Sequence, residues 1–203
     1  PAISTLQGTD GYQGQILLVK GNQIIGHALN VRDEGTALDI TSILPELLIE
    51  ISQNIIERGS TGLSLEPAAM SGHGMPILVE GNTITNCETA LIIGNPSSAG
   101  FTDTLEAITI RYNNFQNNFK ALRLPQTNDG WSGAVPTMKL GSNWWGTADA
   151  SSIAEQIEDH LDIVDLVRAD YSPLLSEPIS INSESQLVGI PQGPTNPQIA
   201  ITG

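Results

Sequence analysis

The chain has 203 residues, enough for one substantial hydrophobic core, and only 15% of them are charged. The 22 acidic and 8 basic residues give a net charge of −14, which makes nucleic acid and anionic membranes poor partners. No apolar run is long enough to predict insertion into a membrane, and the single cysteine, Cys87, can form no internal disulfide.

Residues 1–14 do not contain a full copy of the repeat that follows. Ile3 and Leu6 fit either the last strand of an earlier coil or a cap over the end of a solenoid. The chain begins with Pro1 and has no signal peptide, so we expect a processed product or a piece of a longer protein with other domains.

From Leu17–Ile24 onward, one short segment recurs at intervals of 28 to 32 residues. Apolar residues keep the same register in each copy, alternating with mixed ones, which predicts short half-buried strands rather than helices. The central asparagine of each copy suits a tight turn, because Asn tolerates left-handed dihedrals, and stacked asparagines can hydrogen-bond along the axis. These asparagines are Asn22, Asn54, Asn82, Asn113 and Asn143.

No single copy can bury its apolar face alone, whereas stacked copies can. We therefore expect an all-β solenoid of about five coils over residues 15–178. Inward positions are predicted two residues after each asparagine, at Ile24, Ile56, Ile84, Phe115 and Trp145, and nine residues after it, at Val31, Leu63, Leu91 and Leu122. The repeat resembles the right-handed parallel β-helix of pectate-lyase-like proteins.

The irregular stretch at residues 32–46 contains Asp33, Glu34 and Asp39, and it is long enough for a short strand and a helical turn. Three carboxylates in a loop can bind calcium, although their spacing matches no calcium-loop motif, and a solvated acidic loop is the preferred interpretation. No other cofactor is expected.

Three further long loops, at residues 66–76, 94–107 and 125–137, are predicted to lie on one edge of the solenoid, which is often the binding face of a repeat protein. Trp131 stands there among small polar residues, where an exposed ring can stack on a sugar; the alternative is that it covers the solenoid edge. His73 lies between two glycines and near two methionines. One imidazole and two thioethers are a weak ligand set that suits only copper, so simple loop packing is preferred over a metal site. The candidate ligand-binding residues are Trp131, Asp129, Asp103 and His73.

The end of the repeat carries Asn143-Trp144-Trp145-Gly146, then a helical pattern, then Asp170-Tyr171-Ser172-Pro173. This ending resembles the terminal coil of secreted bacterial and archaeal β-helix proteins. The resemblance implies structural roles for Trp144, Trp145 and Tyr171. It also implies a functionally mixed family of polysaccharide lyases, hydrolases, epimerases, adhesins and spacer domains.

A capping helix is predicted at about residues 151–167. Ser152 and Glu155 form a capping box, and Ile153, Ile157 and Leu161 form an apolar stripe that would close the solenoid. Residues 179–203 change character and suit a linker or the first strand of a following β domain.

The outward strand positions show no recurrent group of aspartates, and a pairing of Glu50 with Arg111 or Lys139 is conceivable but unspecific. We therefore expect a non-catalytic domain of a secreted or cell-surface protein that binds polysaccharide or cell-surface glycan through the long-loop edge. One alternative is the C-terminal part of a polysaccharide lyase, hydrolase or epimerase. Another is a stacking module of an adhesin or filament.

Overall fold

The computed structural model describes residues 16–26, 35–43, 48–67, 76–95, 101–127 and 134–180. The strands of the first two coils are β1 (Ile16–Lys20), β2 (Gln23–Ile25), β3 (Thr36–Ile43), β4 (Leu48–Ser52), β5 (Ile55–Glu57) and β6 (Thr61–Pro67). Those of the next two coils are β7 (Ile77–Glu80), β8 (Thr83–Thr85), β9 (Thr89–Ile93), β10 (Ile108–Arg111), β11 (Asn114–Gln116) and β12 (Lys120–Arg123), with helix α1 (Phe101–Ala107) before β10. The chain then forms β13 (Thr137–Lys139), α2 (Ala150–Gln156), β14 (Ile157–Glu158) and β15 (Arg168–Asp170).

The strands stack into three parallel sheets. Sheet 1 has the order β1-β4-β7-β10, sheet 2 has β2-β5-β8-β11, and sheet 3 has β3-β6-β9-β12-β14. Each coil contributes one strand to each sheet, so the domain is a parallel β-solenoid of about four turns. The predicted fifth copy adds β13, which pairs with β15, and β14, which extends sheet 3.

The core is built from the inward positions that the repeat predicts. Ile56, Ile84 and Phe115 stand in register on sheet 2, and all three are buried. Leu63, Leu91 and Leu122 form the matching row on sheet 3, while Val19, Ile51, Val79 and Ile110 form one on sheet 1. These rows face one another, so each coil buries its apolar side chains against those above and below.

The predicted register fails in the third strand of the first coil. Leu38 and Ile40, rather than Val31 and the position of Asp33, pair with Leu63 and Leu65. Ten residues separate the end of β2 from the start of β3, and this insertion shifts the strand along the sequence. Residues 31 and 33 lie outside the described residues.

The asparagines do not themselves take the left-handed backbone that we predicted for them. The positive φ lies one residue earlier, at Gly21, Gln53, Gly81, Tyr112 and Ser142, with values between 57° and 68°. A second left-handed position follows the sheet 2 strand, at Arg58, Asn86 and Asn117. The second, third and fourth coils therefore each bend at two residues with left-handed backbone.

The terminal helix is shorter than predicted. α2 ends at Gln156, and Asp149, rather than the Ser152–Glu155 box, is its N-cap: the Ser152 amide donates to the Asp149 carboxylate at 2.8 Å. The chain leaves the helix at Ile157 because β14 pairs with Leu122 on sheet 3. Ile153 and Ile157 are buried as predicted, but Leu161 is 79% exposed.

Candidate functional site

The long loops open from one corner of the solenoid. The first two leave the ends of β6 and β9 in sheet 3 and return at the starts of β7 and β10 in sheet 1, whereas the third leaves β12 of sheet 3 and returns at β13, which pairs with β15. The described starts of residues 66–76, 94–107 and 125–137 therefore lie along one edge of sheet 3, and the first two segments end at the facing edge of sheet 1. We call these three segments the loop corner.

Three of the four candidate ligand-binding residues, Trp131, Asp129 and His73, lie outside the described residues. Asp103 lies on α1, but its side chain is not described. Their mutual geometry therefore stays a prediction.

We predicted the middle segment, residues 94–107, as a long loop, but it is partly helical. Half of it is α1, which is held to the solenoid by the buried side chain of Leu105. Thr102 and Glu106 of the same helix are exposed. A short helix therefore gives this part of the loop corner a fixed surface.

Two exposed amides interlock where the middle and last loops leave sheet 3. The Gln126 backbone amide donates to Asn95 Oδ1 at 2.7 Å, and Asn95 Nδ2 donates to Gln126 Oε1 at 3.3 Å. Both side chains are exposed, and each amide group offers donors and acceptors beyond these bonds. The described root of the corner thus presents uncharged hydrogen-bonding groups.

The outward face of sheet 1 is occupied by ion pairs between neighbouring coils. Arg111 Nε lies 2.6 Å from Glu80 Oε2, and Lys20 Nζ lies 4.0 Å from Glu50 Oε1. The Ser52 hydroxyl also donates to Glu50, at 2.7 Å.

The conceivable pairing of Glu50 with Arg111 or Lys139 is therefore wrong. Glu50 is held by its neighbours Lys20 and Ser52, and Arg111 is held by Glu80. Lys139 binds Asp170, because β13 and β15 bring these two residues side by side.

The acidic trio is not a simple loop cluster. Asp39 lies within β3, exposed and in register with Ser64, whereas Asp33 and Glu34 lie outside the described residues. Among the residues that the structure describes, no three His, Cys, Asp or Glu side chains are grouped closely enough to hold a metal ion. Calcium at this trio stays a prediction.

The aromatic residues of the ending lie where a structural role requires. Trp145 is 1% exposed and stacks on Phe115, with ring centroids 5.0 Å apart and an interplanar angle of 20°. Trp144 is half-buried and forms a bridge with Asn114, so the fifth copy continues sheet 2 for one residue. Tyr171 is half-buried against the core.

A second polar contact between coils was missed in the sequence. The Cys87 amide donates to Asn118 Oδ1 at 2.9 Å, and Asn118 Nδ2 donates to the Ile84 carbonyl at 2.9 Å. Burial raises the pKa of the Cys87 thiol, as expected for a small buried turn residue. The 31-residue spacing of Cys87 and Asn118 matches the repeat and was the available signal.

A cavity of about 600 Å³ lies at the C-terminal end. It forms where α2, β14, the turn at residues 159–166 and β15 meet. Ala154, Ile157, Leu161, Ala169 and Tyr171 supply its apolar lining. The charged residues of the lining are Glu155, Asp159, Asp162, Arg168 and Asp170, of which Asp170 is paired with Lys139.

These features define a class of protein: a parallel β-solenoid whose coils are joined by an internal asparagine ladder. In the described part of the chain, no helix is long and apolar enough to cross a membrane. Comparisons with protein-family models, with curated proteins and with solved structures found no match to the chain.

Proposed function

We propose that the chain is a non-catalytic solenoid domain of a secreted or cell-surface protein, a rigid scaffold that binds glycan through the loop corner. The observation that carries the proposal is the position of the Asn95–Gln126 amide pair, at the root of the loop that contains Trp131. Sugar hydroxyls pair well with side-chain amides, and sugar faces stack on aromatic rings.

The internal hydrogen bonds support the scaffold role. Asn82 Nδ2 donates to the Ile51 carbonyl of the preceding coil and to Asn113 Oδ1 of the next, so one side chain joins three coils. Such cross-coil bonds fix the spacing of the coils at the end of the sheet 1 strands, opposite the strand starts at which the first two loops of the corner arrive. Fixed loop roots lower the ordering cost of binding an extended polymer.

The charge of the chain favours a neutral glycan. With a net charge of −14, an acidic polysaccharide would be repelled unless a cation such as calcium bridged the two. The same charge disfavours nucleic acid. A neutral polysaccharide carries no such penalty.

We also propose that the domain is related to pectate-lyase-like proteins, which its terminal motif resembles. The alternative, part of a polysaccharide lyase, hydrolase or epimerase, needs carboxylates free to act on a sugar. On the outward face of sheet 1, Glu50 and Glu80 are instead engaged by Lys20 and Arg111, which favours binding over catalysis.

The test is a titration of the domain with neutral and acidic polysaccharides, with and without calcium, followed by intrinsic tryptophan fluorescence. We expect a saturable change with at least one neutral polysaccharide that is lost in Trp131→Ala. Release of oligosaccharides or unsaturated sugars during the titration would overturn the non-catalytic assignment. The absence of any saturable change would overturn glycan binding.

A further inference from the structure

A smaller cavity, of about 360 Å³, lies at the corner between sheets 2 and 3, where the chain turns from β11 to β12. Gln116 and Asn117 line it from that turn, and Trp144 and Trp145 line it from the fifth copy. Gln156, the last residue of α2, also belongs to the lining. None of the described residues that line this cavity is charged, although the chain carries a net charge of −14. The cavity therefore suits a neutral polar molecule.

The buried indole of Trp145 supplies a hydrogen-bond donor without an acceptor. Trp145 is 1% exposed and lines the cavity, yet its Nε1 has no partner among the described residues. Buried N–H groups nearly always find a partner, because leaving one unpaired costs free energy. Stacking on Phe115, with ring centroids 5.0 Å apart, packs the ring against the core. A molecule in the cavity that offers an oxygen atom would satisfy this donor.

Side-chain amides of the lining keep hydrogen-bonding capacity for a ligand. Gln116 and Asn117 make no side-chain hydrogen bond to a described residue. Gln156 uses its Nε2, which donates to the Ser152 carbonyl at 3.2 Å, and keeps its Oε1 as an acceptor. Each amide group combines donors with an acceptor. A hydroxyl group also does both, whereas an ammonium group only donates and a carboxylate only accepts, so a molecule rich in hydroxyls suits this lining best.

We propose that this cavity binds a single neutral sugar unit, with one oxygen on Trp145 Nε1 and other hydroxyls on the amides of Gln116 and Asn117. Trp144 is half-buried and supplies an aromatic surface for a sugar face. The volume lies near the lower end of small-molecule sites, about 300–1,000 Å³, which favours one sugar ring over a longer chain. The site is separate from the loop corner, whose segments leave the opposite ends of the sheet 3 strands, and it does not depend on glycan binding there.

The test is an NMR titration of the ¹⁵N-labelled chain with methyl glucoside, methyl galactoside and methyl mannoside. The indole Nε1–H signals of the three tryptophans are the reporters, assigned with Trp131→Phe and Trp144→Phe. We expect a saturable shift of the Trp145 signal with at least one glycoside. A shift of the Trp131 signal alone would report binding at the loop corner and overturn the second site. The absence of a saturable Trp145 shift, or an equal shift with tetrahydropyran, which has the ring without hydroxyls, would also overturn it.

Two glycine variants give a matched check. Asn117 is exposed and has a left-handed backbone with φ of 57°, so Asn117→Gly removes its amide without straining the turn. Asn86 holds the equivalent position one coil earlier, is also exposed with φ of 57°, and does not line the cavity, so Asn86→Gly is the control. We expect Asn117→Gly to weaken binding of the best glycoside about three- to ten-fold, the effect of losing one hydrogen bond, and Asn86→Gly to leave it unchanged. Equal effects of the two variants would contradict the assignment.

Discussion

Asn113 Oδ1 accepts two hydrogen bonds from Asn82, one from its backbone amide at 3.0 Å and one from its side-chain Nδ2 at 3.0 Å. The same pair of hydrogen bonds joins Asn54 to Asn82 and Asn113 to Asn143. At every step, the asparagine of one coil donates to the side-chain oxygen of the asparagine in the next coil toward the C-terminus. Because these asparagines are buried, the ladder satisfies polar groups that water cannot reach.

We expect the middle of this ladder to be a major source of stability. Asn82→Ala removes the acceptor of the Asn54 backbone amide and the side-chain donor to the Ile51 carbonyl, while Asn113 Oδ1 keeps only the backbone amide of residue 82, so buried polar groups lose their partners. The expected loss in the free energy of unfolding is about 3–5 kcal/mol. Urea denaturation of the variant and the wild type measures it.

Asn22→Ala is the matched control, since Asn22 makes the same bonds to Asn54 at the exposed end of the ladder. Water can replace the lost bonds there, so we expect a loss of only about 1 kcal/mol. Equal losses at the two positions would show that ladder burial does not matter.

A glycine at the left-handed residue that follows β5 is expected to stabilise the domain. Arg58 has φ of 64°, and its side chain is exposed, so Arg58→Gly relieves backbone strain without losing buried contacts. After the extra entropy of glycine in the unfolded chain, we expect a gain of about 0.5–1 kcal/mol in the free energy of unfolding. Arg58→Ala, which removes the same side chain but keeps a Cβ, should give no gain in the same denaturation experiment.

The stacking of Trp145 on Phe115 predicts different costs for two substitutions. Trp145→Ala opens a cavity in the end of the core and should cost about 3–5 kcal/mol in the free energy of unfolding. Trp145→Phe keeps an aromatic ring and removes the buried Nε1 donor, which has no partner, so its cost should stay below about 2 kcal/mol. Thermal unfolding of both variants tests this order, and a reversed order would contradict the packing.

The cap of α2 predicts a dependence of stability on pH. The Ser151 hydroxyl, followed by the amide and hydroxyl of Ser152, donates to the Asp149 carboxylate and lowers the pKa of Asp149 to about 2. In the unfolded chain this pKa is about 4. The ionised cap therefore contributes fully above pH 4, and its contribution is lost as the pH falls toward 2.

Stability curves of the wild type and Asp149→Ala should consequently lie apart at pH 6 and converge between pH 4 and pH 2. Asp149→Asn, which caps without titrating, should lack this convergence with Asp149→Ala. A gap between wild type and Asp149→Ala that stays constant down to pH 2 would contradict the cap.

The repeat made most of the solenoid predictable. An apolar residue two positions after each asparagine was enough to place Ile56, Ile84 and Phe115 in one buried row. The asparagine ladder also followed from the spacing, because in-register stacking brings equivalent residues together.

The errors arose where the repeat carries no side-chain signal. The left-handed residue before each asparagine differs from coil to coil, as at Gln53 and Tyr112, so its type reveals nothing about its backbone. The helical spacing of Ile153, Ile157 and Leu161 concealed that Ile157 belongs to sheet 3. Of the candidate ligand-binding residues, only Asp103 lies within the described elements.

Glycan binding at the loop corner is tested most directly by comparing two aromatic-to-alanine variants with the polysaccharide that binds best. Trp131→Ala removes the proposed stacking ring, whereas Phe119→Ala removes a 76% exposed ring beyond sheet 2, at a different corner. Stacking of a nucleic-acid base on an aromatic ring is worth about 1–3 kcal/mol, and we assign a sugar stacked on the Trp131 ring a similar value. We predict at least ten-fold weaker binding for Trp131→Ala and unchanged binding for Phe119→Ala. Unchanged binding for Trp131→Ala would contradict the account.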